Sequence, residues 1–350
     1  MAMWMTGFYT IAASISTALA SYQGFNYAAQ GNNISSFHKQ FSLSTSLPGT
    51  ASFSSARLYT MIQEGSNDTI IEAIPAALAT NTKLLLGLWT SVDGDDFAKE
   101  LRALESAMAL YGPQGLGDLV VGISVGSEDL YRSSVLGASN GGGVGQDLSI
   151  LLDYIRQVRT LLQGSVLQNV PVGHVDTLDA YTTHTNSQIL DALDFVGLNI
   201  FPYFSKDQAM DVSTAADSFW KAYESMLPLS QGKPVWITET GWPTEDPTKL
   251  SGPKPGINNA AMYWSKVVCE LQARCIDFWW YILTDPAQTP FFGVTNLRED
   301  PHGSTLYNLD CGLISNCPDT YITTFPTTSS TIPALYQTST HASPALSSVC

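Results

Sequence analysis

Eight short apolar runs punctuate residues 22–310, and they constrain the fold more than any other feature of the chain. They cover 24–28, 55–59, 84–89, 119–128, 171–176, 195–200, 235–239 and 276–283. The runs are rich in β-branched and aromatic residues and apolar on both faces, as a strand buried on both sides requires. Between them lie helical patterns at 95–111, 147–162, 214–226 and 258–273. In the second of these, Leu148, Leu151, Leu152, Ile155 and Val158 recur at spacings of three and four, the period of one helix face. Doubly buried strands alternating with helices mean parallel strands covered by helices. Eight such units fit an α/β fold of the (β/α)8 TIM-barrel type better than an open doubly wound sheet. No domain break is visible before residue 310, so a single domain over 21–317 is expected.

Two of the runs end on a glutamate. Val235 to Thr238 are β-branched or aromatic, Glu239 follows, and Gly241 and Pro243 then stop the strand. Residues 119–128 read Leu-Val-Val-Gly-Ile-Ser-Val-Gly-Ser-Glu and end on Glu128. A charge at the end of an apolar strand is costly unless it has a partner or a task. One reading is structural, a capped or ion-paired carboxylate. In a parallel barrel, however, both glutamates would stand at the carboxyl ends of strands four and seven, where barrel enzymes carry their chemistry. Paired carboxylates do acid/base and nucleophilic work on glycosidic bonds.

Composition narrows the partner. Formal net charge is −15, which argues against nucleic-acid or anionic-membrane partners, since these would need a basic stripe. The 14 Phe, 8 Trp and 15 Tyr exceed what a core alone demands, although most of them serve it. Aromatic faces stack on the apolar faces of sugar rings, and a neutral carbohydrate needs no basic patch. The five histidines are scattered and no Cys–His spacing fits a ligand set, so no metal and no cofactor are expected. Gly122-Ile-Ser124-Val-Gly126 matches the nucleophile pattern of serine hydrolases, but Ile123 and Val125 continue the strand where that motif needs a sharp turn. The glycine-rich stretch 141–145 lacks the lysine of a phosphate loop and reads as a flexible loop.

The two ends of the chain read differently from its middle. Residues 1–20 are apolar and small, ending Ala18-Leu19-Ala20, and are expected to be a signal peptide cleaved after Ala20. The usual basic residue near the start is missing. Two sequons, at Asn33 and Asn67, fit a secreted glycoprotein that is either free or wall-associated. All five cysteines fall in the last quarter, at 269, 275, 311, 317 and 350, and read as disulfides. Four of them allow three pairings. Cys269–Cys311 is favoured because it would staple the end of the domain to its last helix. Residues 318–350 are rich in Ser, Thr and Pro and are expected to be a disordered linker or stalk. A lipid-anchor signal would need a hydrophobic tail of about 10–20 residues, and none precedes Cys350, so the chain reads as unanchored or shortened. No membrane insertion of the mature domain is expected, and a monomer is.

The motifs together carry a name. Gly24-Phe-Asn-Tyr27, Ala56-Arg-Leu-Tyr-Thr60, Val125-Gly-Ser-Glu-Asp-Leu-Tyr-Arg132, Gly197-Leu-Asn-Ile-Phe-Pro-Tyr-Phe204 and Trp236-Ile-Thr-Glu-Thr-Gly-Trp-Pro243 resemble glycoside hydrolase family 17 over residues 22–311. The likeness is to its fungal secreted and cell-wall endo-1,3-β-glucanases. The resemblance implies a barrel, a retaining mechanism and a β-1,3-glucan substrate. It also implies Glu239 as nucleophile and Glu128 as acid/base, an assignment that spacing alone does not make. A cation on Glu128 would depress its pKa, which is wrong for an acid, so Arg132 is expected out of contact.

The family usually has Asn where this chain has Ser127. A serine there leaves the contact to the sugar 2-hydroxyl, and the balance of hydrolysis against transglycosylation, open. Tyr59 and Tyr203 follow strands two and six, where the family places sugar contacts; either is also a plausible rim-packing residue. Asn199 and Asp176 at strand ends are further candidates. His174 reads as a hydrogen-bonded residue of the barrel interior, and Trp279-Trp280-Tyr281 as core, with one ring able to floor a sugar subsite. Two other functions use the same frame. A 1,3-β-glucanosyltransferase would employ the same two glutamates, and a non-catalytic glucan-binding wall protein would not need both motifs intact.

Overall fold

The computed structural model describes residues 21–205, 210–285, 290–296, 300 and 303–312. The signal peptide expected at 1–20, the stalk at 318–350, and Cys317 and Cys350 lie outside the described residues.

Eight parallel strands close into a barrel in chain order: β1 (Gln23–Tyr27), β2 (Ser55–Leu58), β3 (Lys83–Leu88), β4 (Val120–Ser127), β5 (Val172–Thr177), β6 (Phe195–Asn199), β7 (Val235–Thr240) and β8 (Phe278–Trp280). Around them run α1 (Ile34–Ser46), α2 (Ala73–Thr80), α3 (Gly94–Gly112), α4 (Asp129–Ser133), α5 (Val135–Ser139), α6 (Leu148–Leu162), α7 (Leu178–Thr182), α8 (Val212–Met226) and α9 (Ile257–Ala273). The barrel expected from the apolar runs is therefore present. The last strand is shorter than the run at 276–283, and the β5–β6 connection carries only α7 and a short 3-10 turn rather than a long helix.

Local chemistry sets the helices. Asp93 caps α3 by accepting from Asp96 N, and Asp95 and Asp96 place negative charge in its first turn, where the helix dipole favours it. Asp211 and Thr214 form a reciprocal capping box at α8. Helix α6 buries Leu151, Tyr154, Ile155, Val158 and Leu162 on one face against the strands.

Inside the barrel the floor is aromatic. Leu85, Phe195, Trp236 and Trp279 pack together there, with Phe195 stacked on Trp236 at 3.9 Å between ring centroids. Burying each such ring contributes about 4–6 kcal/mol as an upper bound. Gly122 and Gly173 make this possible. A Cβ at Gly122 would meet the Trp236 ring at 2.8 Å, and one at Gly173 would meet Phe195 at 2.5 Å. Among the described residues this packing closes the amino-terminal end of the barrel. A disulfide joins Cys269 on α9 to Cys311, and Cys275 is also disulfide-bonded.

Candidate active site

Arg57 organises the mouth. It is fully buried in an otherwise uncharged strand, β2, so every one of its contacts matters energetically. Its Nη1 donates to Glu239 Oε1 at 2.5 Å and to Asn26 Oδ1 at 2.8 Å. Its Nη2 donates to Ser127 Oγ at 2.9 Å. Asn26 is held in turn by its own amide, which donates to the carbonyls of Thr238 and Trp279, each at 3.0 Å. Glu239 thus emerges from β7 already ion-paired.

Between β6 and β7 the register shifts after Leu198, so that Asn199 pairs with Glu239. Thr238 Oγ1 donates to Asn199 Oδ1 at 2.8 Å, which orients the amide with its nitrogen outward. That nitrogen donates to Glu128 Oε1 at 2.9 Å. Strands β6 and β7 therefore reach across to the carboxylate of β4.

Glu128 is the first residue beyond β4 and has left-handed backbone geometry, with φ 59°. For a residue with a Cβ this conformation is costly, and it persists because hydrogen bonds fix both sides. Glu128 N donates to Val175 O at 2.8 Å, and Leu130 N donates to Asp176 Oδ2 at 2.9 Å. The kink turns the carboxylate toward the cleft. Burial, then the negative charge of Glu239, pushes Glu128 up to about 7; the charge of Asp176 adds to this, while the Asn199 hydrogen bond and the Arg132 charge oppose it.

Arg132 is not on Glu128. Its guanidinium bonds the Ser127 carbonyl and Ser91 Oγ, lies 3.8 Å from Asp129 Oδ1, and sits over the Trp89 ring at 4.6 Å.

Both glutamates, Tyr59, Ser127 and Asn199 line one cleft of about 1420 Å³, together with Trp89, Tyr131, Phe201 and Tyr281. Tyr59 carries the Arg57 guanidinium 4.7 Å over its ring. Burial, then the charge of Glu239, holds its hydroxyl well above the usual tyrosine range, so it stays a donor. A third carboxylate, Glu100 on α3, accepts from Thr60 Oγ1 at 2.5 Å and Met61 N at 2.7 Å, anchoring the loop that carries Tyr59. Burial pushes it up to about 7.

Tyr203 is the exception among the expected sugar contacts. It is fully buried away from the cleft, packed edge-on against Trp242, with its hydroxyl on Asp246 at 2.7 Å. The neighbouring Phe204 lines the cleft instead and is 55% exposed. Ser127 reaches the cleft, but its hydroxyl is engaged by Arg57. His174 and Asp176 face α7 and α4: His174 meets Tyr181 of α7 edge-on and Asp176 accepts from Leu130 N of α4, while Val175 between them packs on the other face, against Gly197. Sequence reasoning assigned no role to Arg57 or Asn26, although an arginine inside a buried strand is itself a signal. Asn33 and Asn67 are exposed. Among the described residues, no group of three or more His, Cys, Asp or Glu could hold a metal ion, and no helix is long and apolar enough to cross a membrane.

One carboxyl kept neutral and one kept paired, offered by two strands to a cleft of aromatic rings, is how barrel glycoside hydrolases are built. The chain belongs to the family of the BtgE/BtgC glycoside hydrolase domain, whose profile matches residues 24–291. It is 43% identical to the probable glucan endo-1,3-beta-glucosidase eglC of Aspergillus oryzae, over 88% of this chain and 67% of that protein. The protein of the same name from Aspergillus niger is 42% identical, over 86% and 65%. The chain thus spans about two thirds of the length of these curated relatives.

Among solved structures, the barrel resembles a glycoside hydrolase family 17 beta-1,3-glucanosyltransferase from Rhizomucor miehei, with TM-score 0.65 and 24% identity over 82% of this chain and 98% of that one. An active-site mutant of the Rhizomucor miehei beta-1,3-glucanosyltransferase in complex with laminaritriose gives TM-score 0.64 and 23% identity over 83% and 98%. At that identity the likeness establishes the shared fold. The resemblance to family 17 carried by the motifs agrees with these findings.

Proposed function

We propose that the protein hydrolyses internal 1,3-β-glucosidic bonds of β-1,3-glucan with retention at the anomeric carbon. Glu239 is the nucleophile and Glu128 the acid/base. The observation that carries this reading is the division of labour between the two carboxyls: Arg57 pairs with one, while burial and its neighbour's charge keep the other protonated up to about 7.

In the first step the Glu239 carboxylate attacks the anomeric carbon, and Glu128 gives its proton to the departing glycosidic oxygen. The resulting ester has no charge at Glu239. The second-largest influence raising Glu128 then disappears, so Glu128, having given up its proton, stays ionised and is free to take a proton from the attacking water. Water attacks, the ester breaks, and the starting charges return. Tyr59 and Asn199 line the cleft as sugar contacts, and Ser127 acts through Arg57 as well as beside the sugar. The net negative charge suits a neutral polysaccharide better than a polyanion.

A transglycosylation reading is favoured by one observation, the likeness of the barrel to a β-1,3-glucanosyltransferase. There the acceptor is a glucan hydroxyl in place of water. Following product lengths over time on a linear β-1,3-glucan tests both. Chains that only shorten mean hydrolysis, some that lengthen mean transfer, and unchanged glucan would refute the function. Export after cleavage at Ala20, N-glycosylation at Asn33 and Asn67, a cell-wall setting and action as a monomer complete the reading. Mass analysis of the secreted protein before and after deglycosylation checks the first two.

A further inference from the structure

Behind Glu128, on the side away from the cleft, lies a buried histidine–carboxylate pair that the mechanism above does not use. His174 and Asp176 are both fully buried, two residues apart on β5. His174 Nδ1 lies 2.7 Å from the Val125 carbonyl oxygen, and Nε2 lies 3.1 Å from Asp176 Oδ2. A carbonyl only accepts, so Nδ1 carries a hydrogen. Nε2 faces a carboxyl oxygen, so a second proton must sit between them, on the ring or on the acid. The pair therefore holds one proton more than a neutral imidazole beside a carboxylate.

The surroundings want that proton too. Asp129, fully buried on α4, accepts from Ser127 N at 2.7 Å and from Ser91 Oγ at 2.5 Å. Two carboxylates, Asp129 and Asp176, thus face His174, with Arg132 as the other cation in the cluster. Burial by itself lowers the histidine, but the hydrogen bond and charge of Asp176, the charge of Asp129 and the Val125 carbonyl together raise it above the ordinary value. Tyr181 on α7 meets the ring edge-on and donates to the His174 carbonyl, completing the enclosure.

The two bonds of the pair bracket the kink. His174 holds Val125, three residues before Glu128, and Asp176 holds Leu130, two residues after it. We propose that His174 and Asp176 are a positioning pair for the acid/base, whose shared proton locks the left-handed turn at Glu128 and sets the charge beneath it. This rests on the glucanase reading, since it assigns the pair a task in that reaction. The charged and titratable groups that reach Glu128 besides the pair are Glu239 on β7, Arg132 on α4 and Tyr281 beyond β8.

Two substitutions push the charge beneath Glu128 in opposite directions. Asp176→Asn removes a negative charge that raises Glu128, so the alkaline limb of kcat against pH moves to lower pH. His174→Gln keeps a donor for Val125 but leaves the carboxylates without their cation, so the limb moves to higher pH. Both loosen the turn, and kcat at its optimum falls about 10- to 100-fold with KM little changed.

The experiment is the pH profile of kcat and KM on a linear β-1,3-glucan for wild type and both variants. It is paired with histidine ring NMR on the wild type, assigned by the resonance lost in His174→Gln. Opposed shifts of the limb support the pair, as does a His174 that titrates above the ordinary histidine value. A uniform loss of kcat with an unmoved limb, or His174 titrating at the ordinary value, overturns it. Failure of the wild type to cleave glucan defeats the function reading instead, and the NMR titration still decides the pair.

Discussion

Arg57 and Glu239 are joined at 2.5 Å, and the same guanidinium reaches Ser127 at 2.9 Å. The nucleophile candidate and the residue preceding the acid/base candidate therefore share one cation, though they lie on strands far apart in the chain. Replacing Arg57 with Met leaves Glu239 buried without a partner and should destabilise the fold by about 3–5 kcal/mol. Arg57→Lys keeps the charge but not the fork, and should fold while losing about 100-fold in kcat. Chemical denaturation and steady-state kinetics of the two variants separate these effects. A lysine variant with full kcat would remove Arg57 from the mechanism.

The roles of the two glutamates are separable by added azide and a substrate with a good leaving group. Glu128→Gln should lower kcat on glucan about 100- to 10,000-fold. On an activated β-glucoside its ester intermediate still forms, and azide should restore turnover and give the β-glycosyl azide. Glu239→Gln cannot form the ester, and azide should give the α-anomer if it gives any product. Swapped anomers would exchange the roles.

Activity should fall as pH rises through about 7, because Glu128 must enter the reaction protonated. Stability follows the same sign. Glu128, Glu100 and Asp277 are each pushed up to about 7, by burial foremost, from an unfolded value of about 4. A carboxyl raised on folding contributes stability that is full below the unfolded value and is lost as pH climbs through the folded one. Glu128→Gln should therefore raise Tm more at pH 8 than at pH 4.5, measured against wild type by calorimetry. An equal effect at both would mean the group is not strained by ionisation.

The disulfide between Cys269 and Cys311 closes a span of 42 residues. Constraining a loop of that length in the unfolded chain is worth about 4 kcal/mol in the chain-entropy model. The Cys269→Ala/Cys311→Ala double variant should show that loss in a urea titration while keeping KM, since the bond lies away from the cleft-lining residues. A changed KM would tie the staple to the site.

Tyr203→Phe should cost about 1 kcal/mol through the lost Asp246 bond and leave KM on glucan unchanged. Tyr59→Phe should raise KM or lower kcat. The reverse pattern would restore Tyr203 as a sugar contact.

These two tyrosines mark where sequence stops being informative. The alternation of doubly apolar runs with helical patterns made the barrel legible, because burial on both faces leaves few other arrangements. The runs ending at Glu128 and Glu239 brought two carboxyls to one rim for the same reason. Position after a strand, however, does not say which way a ring turns: Tyr203 turns into the packing, and Phe204 beside it faces the cleft. His174 was misplaced by strand parity, since one residue exchanges the interior for the helix side. Arg57 gained its meaning only from a partner 182 residues away. Long-range pairing of that kind leaves no local pattern to read.

The aromatic floor has a consequence for how such a chain can change over generations. Gly122 and Gly173 lie where Trp236 and Phe195 fill the space a Cβ would take. A lone Gly122→Ala collides with an indole that has nowhere to go, whereas shrinking the indole first opens room for it. Substitutions at the floor must therefore arrive as matched pairs, each intermediate passing through a weakened protein. An exposed side chain of the rim such as Phe204 meets no such collision and can be exchanged alone. A change at the base of the barrel therefore needs a compensating change beside it, whereas one at the exposed rim does not.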